Sequence, residues 1–354
     1  MRGRPPWGSR PMVGAELDPS LTADEAGQLA MLQTVLIGLG AGLAAALLFA
    51  SVVSGAALSL FLAHLAPLPI LIVALGWSHW AGMVAALCAT TALGMLGFRT
   101  SLGFAIGAGA PAWWLGYLAL LARPVGNGSA DHLEWYPAGR LLFWCALLAS
   151  GMTVITFLVT FGTDWQTFQT QLRKVAEEIV RLQAQATSNP TAATRLESKD
   201  VIAALAVAMP AVVAAFATLI NSFTLWLAGR VVLISGRLKR PWPDLPAMTL
   251  PPLGSILLAA SFLGLWLPEF AGLVAIACAA SLVTAYAILG LVVLHAITRG
   301  SPSRLLMLLA IYLFIILFAG MPLLFVAMLG LADSAFNFRA RGGSRLPPPN
   351  PPQT

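Results

Sequence analysis

The chain has 354 residues, 58% of them apolar and 10% charged, with a formal net charge of +6. Soluble domains carry about a quarter charged residues, so this balance excludes an ordinary water-soluble globule and makes the bilayer the expected solvent. The positive charge is spread over loops and tails, with Arg237, Lys239 and Arg240 as its densest group. It reads as topology-setting, lipid-facing charge, and no nucleic-acid module accompanies it.

Charged residues punctuate the apolar blocks. None lies between Glu25 and Arg99, and later gaps run from Arg99 to Arg123, Arg140 to Asp164, Asp200 to Arg230, Asp244 to Glu269, Glu269 to Arg299 and Arg304 to Asp333. A spanning helix needs about 20 apolar residues. The first block therefore holds three crossings and each later block one, predicting an all-α, polytopic transmembrane bundle of eight or nine helices with one amphipathic surface helix.

Residues 1–30, rich in Pro, Gly and Arg, read as a disordered N-terminal extension without a cleavable signal peptide. A membrane bundle follows over 31–162. Its first helix carries Gly38, Gly42, Ala46 and Ala50 along one face, a small-residue stripe that lets helix backbones approach closely. Packing inside the bundle is the favoured use of that stripe, with docking of a separate membrane subunit as the alternative. The second helix is broken at Pro67 and Pro69, one turn after His64. Proline removes backbone donors, and the freed carbonyls need partners inside lipid, so a polar, irregular spot is expected there. A second break is expected at Pro111, just before Trp113, Trp114 and Tyr117, and paired discontinuous helices point to a binding site near the midplane.

The loop from Arg123 to Arg140 contains an Asn127-Gly128-Ser129 sequon, meaningful only in a glycosylating pathway. Residues 163–200 form a separate unit. Trp165, Phe168, Leu172, Val175, Ile179 and Leu182 recur in steps of three and four, an amphipathic helix lying on the membrane or on the bundle. Thr163 and Gln166 offer a capping box, and Ser188 to Thr191 breaks the helix into a polar linker. The second membrane bundle, 201–332, opens with a long span holding Pro210 and Asn221-Ser222, then continues through Leu253–Leu267, Ala271–Ile297 and Leu305–Leu331. A re-entrant Leu253–Leu267 keeps both termini, with Arg339, Arg341 and Arg345, on the cytoplasmic side. Residues 333–354 read as a disordered Arg- and Pro-containing tail.

No enzyme motif, metal site or cofactor-binding pattern emerges. Cys88, Cys145 and Cys278 sit in separate apolar blocks and fit no zinc spacing, and the acidic residues lie at helix ends, against a proton pump. The candidate ligand contacts are His64, Pro67, Pro69, Trp113, Trp114 and Asn221. For the two tryptophans interfacial anchoring, and for Asn221 an interhelical hydrogen bond, are the competing and commoner roles.

Ala66-Pro67-Leu68-Pro69-Ile70-Leu71-Ile72, Pro111-Ala112-Trp113-Trp114-Leu115-Gly116-Tyr117, Glu134-Trp135-Tyr136-Pro137 and the closing Gly330 to Arg339, taken in order, resemble the alphaproteobacterial branch of the domain of unknown function 2232. The resemblance runs from about Met31 to Arg341 and implies no activity. The N-terminal part is similar in character to the substrate-binding subunits of energy-coupling-factor vitamin transporters. There a small-residue stripe docks the coupling subunit, a role the resemblance places on Gly42, Ala46 and Ala50. The expected function is a multi-pass bacterial inner-membrane protein that binds a small molecule or lipid in its bundle and assists its transport, with partner subunits. The alternative is a non-catalytic scaffold recruiting partner proteins.

Overall fold

The computed structural model describes residues 23–125, 133–186, 198–299, 301–318, 320–336 and 339. The extension up to residue 22, the Asn127 sequon, the Ser188–Thr191 break and the tail from residue 340 lie outside the described residues.

Helix α1 spans Ala23–Ala50, so helix begins inside the segment expected as an extension. Its small-residue face meets α4 (His79–Gly94) in parallel, because a Cβ at Gly38 would lie 2.8 Å from the Ala81 carbonyl and one at Gly42 would lie 2.7 Å from Cys88 Cβ. Only glycine admits this approach, and close backbone packing is the main cohesive force between helices in lipid. Between them, α2 (Ala57–His64) and α3 (Pro67–Gly76) are separated by the proline break. The chain absorbs that break by tightening. Leu65, Ala66 and Leu68 N–H groups donate to the carbonyls of Leu62, Ala63 and Leu65 at 2.9–3.1 Å, so the donors lost to proline do not leave an open gap. Ser78 then caps α4, accepting from the Ala81 N–H at 3.2 Å.

Helix α5 (Phe98–Phe104) passes through a π-helical turn, Ala105–Gly109, into α6 (Ala110–Ala119). The interruption expected at Pro111 thus takes the form of a bulge in a continuous helix, one of the usual ways a helix accommodates an irregular turn. A short antiparallel ribbon, β1 (Ala122–Pro124) with β2 (Leu133–Trp135), leads to α7 (Ala138–Phe161).

Helix α8 (Trp165–Ala186) is the strongly amphipathic one and lies docked on the bundle. It buries Phe168, Leu172, Ala176, Val180 and Ala184, every fourth residue, against α7 and the following helix, α9 (Lys199–Ile234), while Leu182 stays exposed. Its cap differs from the expected Thr163–Gln166 box. The Asp164 carboxylate accepts the Thr167 N–H at 2.8 Å, since the helix starts one residue later than that box requires.

Helix α9 (Lys199–Ile234) has 36 residues and is about 54 Å long, well beyond a hydrocarbon core of about 30 Å. It touches α3, α7, α8 and α11 (Glu269–Ile297) and so joins the two halves. Helix α10 (Pro252–Gly264) runs beside α11 (Glu269–Ile297), with Gly254 next to Phe143 and Tyr286 and Gly264 next to Ala275. It starts at the α7 N-terminal end and finishes at the α8 end, where Trp165 meets Phe270 at 5.1 Å. It therefore proceeds through the bundle, and the re-entrant expectation is corrected. The last expected span also divides, into α12 (Arg304–Leu317) and α13 (Leu323–Phe336), at Gly320 with φ 83° and at Pro322. Helix α13 runs antiparallel to α11, with Gly290 against Val326 and Gly330 against Tyr286, and Arg339 beyond it reaches the Met248 carbonyl in the loop after α9.

Five helices among the described residues are long and apolar enough to cross a membrane: Gly27–Ser54, Leu58–Gly76, Ala138–Phe161, Lys199–Ile234 and Glu269–Ile297. The remaining apolar pieces, α10, α12 and α13 among them, are shorter. The helical, membrane-type architecture agrees with the sequence; the uniform set of eight or nine full-length spans gives way to long and fragmentary helices. One core gathers α1, α3, α4 and α6, a second gathers α7, α10, α11 and α13, and a small third sits under α8.

Candidate functional site

The strap of residues 235–251 that follows α9 is tied to the bundle at several points. Gly236, at φ 70°, ends the helix, and the Arg237 N–H reaches back to the Val232 carbonyl at 3.1 Å, a glycine-terminated C-cap. The strap then crosses the ends of α3, α6 and the ribbon. The Arg237 guanidinium lies 4.5 Å from the Trp77 ring centre, and Arg230 lies 5.2 Å from that of Trp242, both cation–π contacts. Lys239 Nζ donates to the Trp77 carbonyl at 2.5 Å.

Arg240 points inward. It is 9% exposed, donating from Nη1 to the Ala119 carbonyl at 3.0 Å and from Nη2 to the Tyr136 carbonyl at 3.2 Å. Carbonyls at a helix C-terminus have no partner within the helix and favour a cation. Its Nε–H is buried without a partner, and no carboxylate pairs with it among the described residues. Burial lowers its pKa, yet an arginine stays protonated in proteins. The far end of the strap is clamped by Arg339, which donates to the carbonyls of Pro246 and, at 2.8 Å, Met248. Arg339 also pairs at 2.6 Å with Asp333, whose side chain is fully buried.

Beneath the strap lies a cavity of about 380 Å³ between α7, α9 and α11, within the usual size range of ligand pockets. Leu142 and Cys145 line it from α7, Ser222 and Trp226 from α9, and Arg240 and Trp242 from the strap. The wall is otherwise apolar, and Arg240 is its one charged lining residue. A second cavity of about 440 Å³ lies at the opposite end, between α8, α9 and the α10–α11 turn. Arg173 and Glu269 line it, and Glu269 holds φ 55°, a conformation that costs a residue other than glycine about 1–2 kcal/mol.

The residues expected to form a site are dispersed. The His64 ring bonds the Leu60 carbonyl at 2.6 Å and meets Phe216 edge-on at 5.0 Å. Asn221 faces α7, its amide 3.9 Å from Met152 Sδ. Trp113 and Trp114 join Tyr117 and Trp144 in an aromatic cluster, where the Trp144 indole donates to the Tyr136 hydroxyl at 3.0 Å. Pro67 and Pro69 start α3. Neither cavity is lined by any of these six residues. Gly38 and Gly42 face α4, Ala46 is buried, and Ala50 packs partly buried against the same core. Ser222, adjacent to Asn221, is the α9 polar group that lines the first cavity, and Arg240, from the densest basic group of the sequence, lines it from the strap together with Trp242. No group of three or more metal-ligating side chains occurs among the described residues.

A family model described as a predicted membrane protein, domain of unknown function 2232, matches residues 43–334. The chain belongs to that family. Membership and the apolar helices together make it a membrane-embedded protein. The DUF2232 match takes in the strap, both cavities and Asp333, and stops short of Arg339. No curated protein and no solved structure matches the chain.

Proposed function

We propose that this DUF2232 protein is a non-catalytic, multi-pass protein of the bacterial inner membrane that holds a lipid or small apolar molecule under the 235–251 strap and assists its transport. The single observation that carries this reading is the 380 Å³ apolar cavity, which opens beside the exposed, lipid-side residues Phe223 and Trp226 of α9. The bundle makes eight or nine crossings in this reading: the five long helices, α4, the α5–α6 pair and α10, with the α12–α13 pair as the ninth. The energy-coupling-factor likeness adds a coupling subunit as partner, without a surface assigned to it, because Gly38 and Gly42 are occupied by α4.

The test is native mass spectrometry from nanodiscs of the source membrane, comparing wild type with Ser222→Phe. Ser222 donates to the Thr218 carbonyl of its own helix and across to α7 has a side-chain hydrogen bond with Cys145, so a larger side chain there fills the cavity at the cost of one weak thiol contact. The expected result is a small molecule or lipid retained at fixed stoichiometry by wild type and absent from the variant. Equal retention, or none in wild type, would sink the reading.

The scaffold reading draws on α9. With 36 residues it overruns the hydrocarbon core, which sets its first turns and the charged face of α8 beyond the membrane as a place for a protein partner. A co-purifying chain lost on Phe168→Glu, with no retained small molecule, would favour the scaffold.

A further inference from the structure

We infer that the occupant of the strap cavity is an anionic amphiphile, a single hydrocarbon chain ending in a carboxylate or phosphate that pairs with Arg240. This rests on the cavity being a ligand site, and it adds the charge of the ligand.

The argument starts from what Arg240 lacks. The side chain is more than nine-tenths buried, and a buried cation is expensive unless paired and hydrogen-bonded. Two neutral carbonyls at 3.0 and 3.2 Å satisfy two of its five N–H donors. They bring no charge. Nε has no acceptor, and among the described residues no Asp or Glu stands within ion-pair distance.

The contrast with Arg339 is informative. That residue also ties the strap through backbone carbonyls, and it carries its own buried carboxylate, Asp333, at 2.6 Å. Two arginines with similar structural tasks therefore differ in one respect: the one that lines a cavity is without an anion. A planar guanidinium matches a carboxylate or phosphate, and such charge-assisted bonds are the strong ones. The rest of the wall, Leu142 and Trp226 included, is apolar, so the remainder of the ligand is hydrocarbon. Trp242, held under Arg230 at 5.2 Å, lines the same cavity from the strap and keeps a second cation close to the strap end.

The experiment uses three probes of one chain length, hexadecanoate, hexadecyl phosphate and hexadecan-1-ol, with inorganic phosphate alone as a fourth. Each is titrated onto the full-length protein in phosphatidylcholine nanodiscs and read by native mass spectrometry. Wild type is expected to retain one anionic chain at least about tenfold more tightly than the alcohol, the worth of one charge-assisted hydrogen bond. Arg240→Gln is expected to erase that preference while leaving alcohol binding in place, and Arg240→Lys to keep part of it.

Alcohol binding equal to that of the anions, or a preference that survives Arg240→Gln, would overturn the inference and leave the apolar-ligand reading standing. Binding of inorganic phosphate as tight as that of hexadecyl phosphate would overturn the amphiphile in favour of a free anion. No binding of any chain would defeat both readings. Where Arg240→Gln fails to accumulate, Ser222→Phe decides: it retains Arg240 and must abolish binding of the anionic chains, and persistence would place them elsewhere.

Discussion

Gly290 and Gly330 set how near two helices come. A Cβ at Gly290 would collide with the Val326 carbonyl, and one at Gly330 would meet the Tyr286 carbonyl and the Gly290 backbone. Overpacking a close contact costs about 1–3 kcal/mol and sometimes more, so Gly290→Val is expected to lower thermal stability by at least that amount, measured by unfolding in nanodiscs. The Arg339–Asp333 pair makes a second residue-level test. Removing one partner of a buried pair costs about 3–5 kcal/mol. Arg339→Ala, which strands the fully buried Asp333 carboxylate, is therefore expected to destabilise more than the double replacement by Ala and Leu. Equal losses would mean that the pair contributes nothing beyond packing. Glu269 works in the opposite sense. Its φ of 55° suits glycine, so Glu269→Gly is expected to raise the unfolding temperature, and a fall would show that the carboxylate in the second cavity stabilises more than its backbone conformation costs.

The elements were legible in proportion to how much their own sequence decides them. Charge gaps locate the apolar blocks and the period of α8 marks it as amphipathic, because both signals are local, yet of the expected stripe only Phe168 and Leu172 are buried, alongside Ala176, Val180 and Ala184. What escaped depends on neighbours. The caps of α8 exchanged Thr163 for Asp164, and the last apolar block broke at Gly320 and Pro322. The direction of α10 follows from Gly254 and Gly264 fitting against Tyr286 and Ala275, which no local pattern reveals. At the site, Pro67 and Trp113 drew notice through residue type, whereas the cavity arises where Arg240 folds back on Ala119, 121 residues earlier in the chain. The α8 cap has its own pH signature. The Thr167 N–H holds the Asp164 carboxyl below the usual aspartate range. Its contribution is therefore present above the unfolded pKa and is lost as pH falls through the folded one. Amide exchange in the first turn of α8 should quicken at acid pH in wild type, and Asp164→Ala should exchange quickly at every pH.

For the whole molecule, charge asymmetry gives a direction. Arg123, Arg140, Arg230, Arg237, Lys239, Arg240, Arg299, Arg304 and Arg339 gather at the strap end, against Arg99, Arg173, Lys174, Arg181 and Lys199 at the other. The positive-inside rule then predicts a strap that faces the cytoplasm. With Cys88, Cys145 and Cys278 replaced by alanine, a cysteine at Ser198 is expected to react with an impermeant maleimide applied to spheroplasts. A cysteine at Ser235 is expected to stay protected, and the reverse pattern would invert the topology. The same geometry has a consequence in time. Arg339 grips the carbonyls of residues 246 and 248 from more than 90 positions downstream. At a translation rate of about 5–20 residues per second, roughly 5–20 seconds pass between synthesis of the strap and synthesis of its clamp. During that interval Lys239 and Arg240 can already hold the near end of the strap while its far end lacks its clamp, and on the proposed reading a lipid has time to enter the apolar hollow before the enclosure is complete.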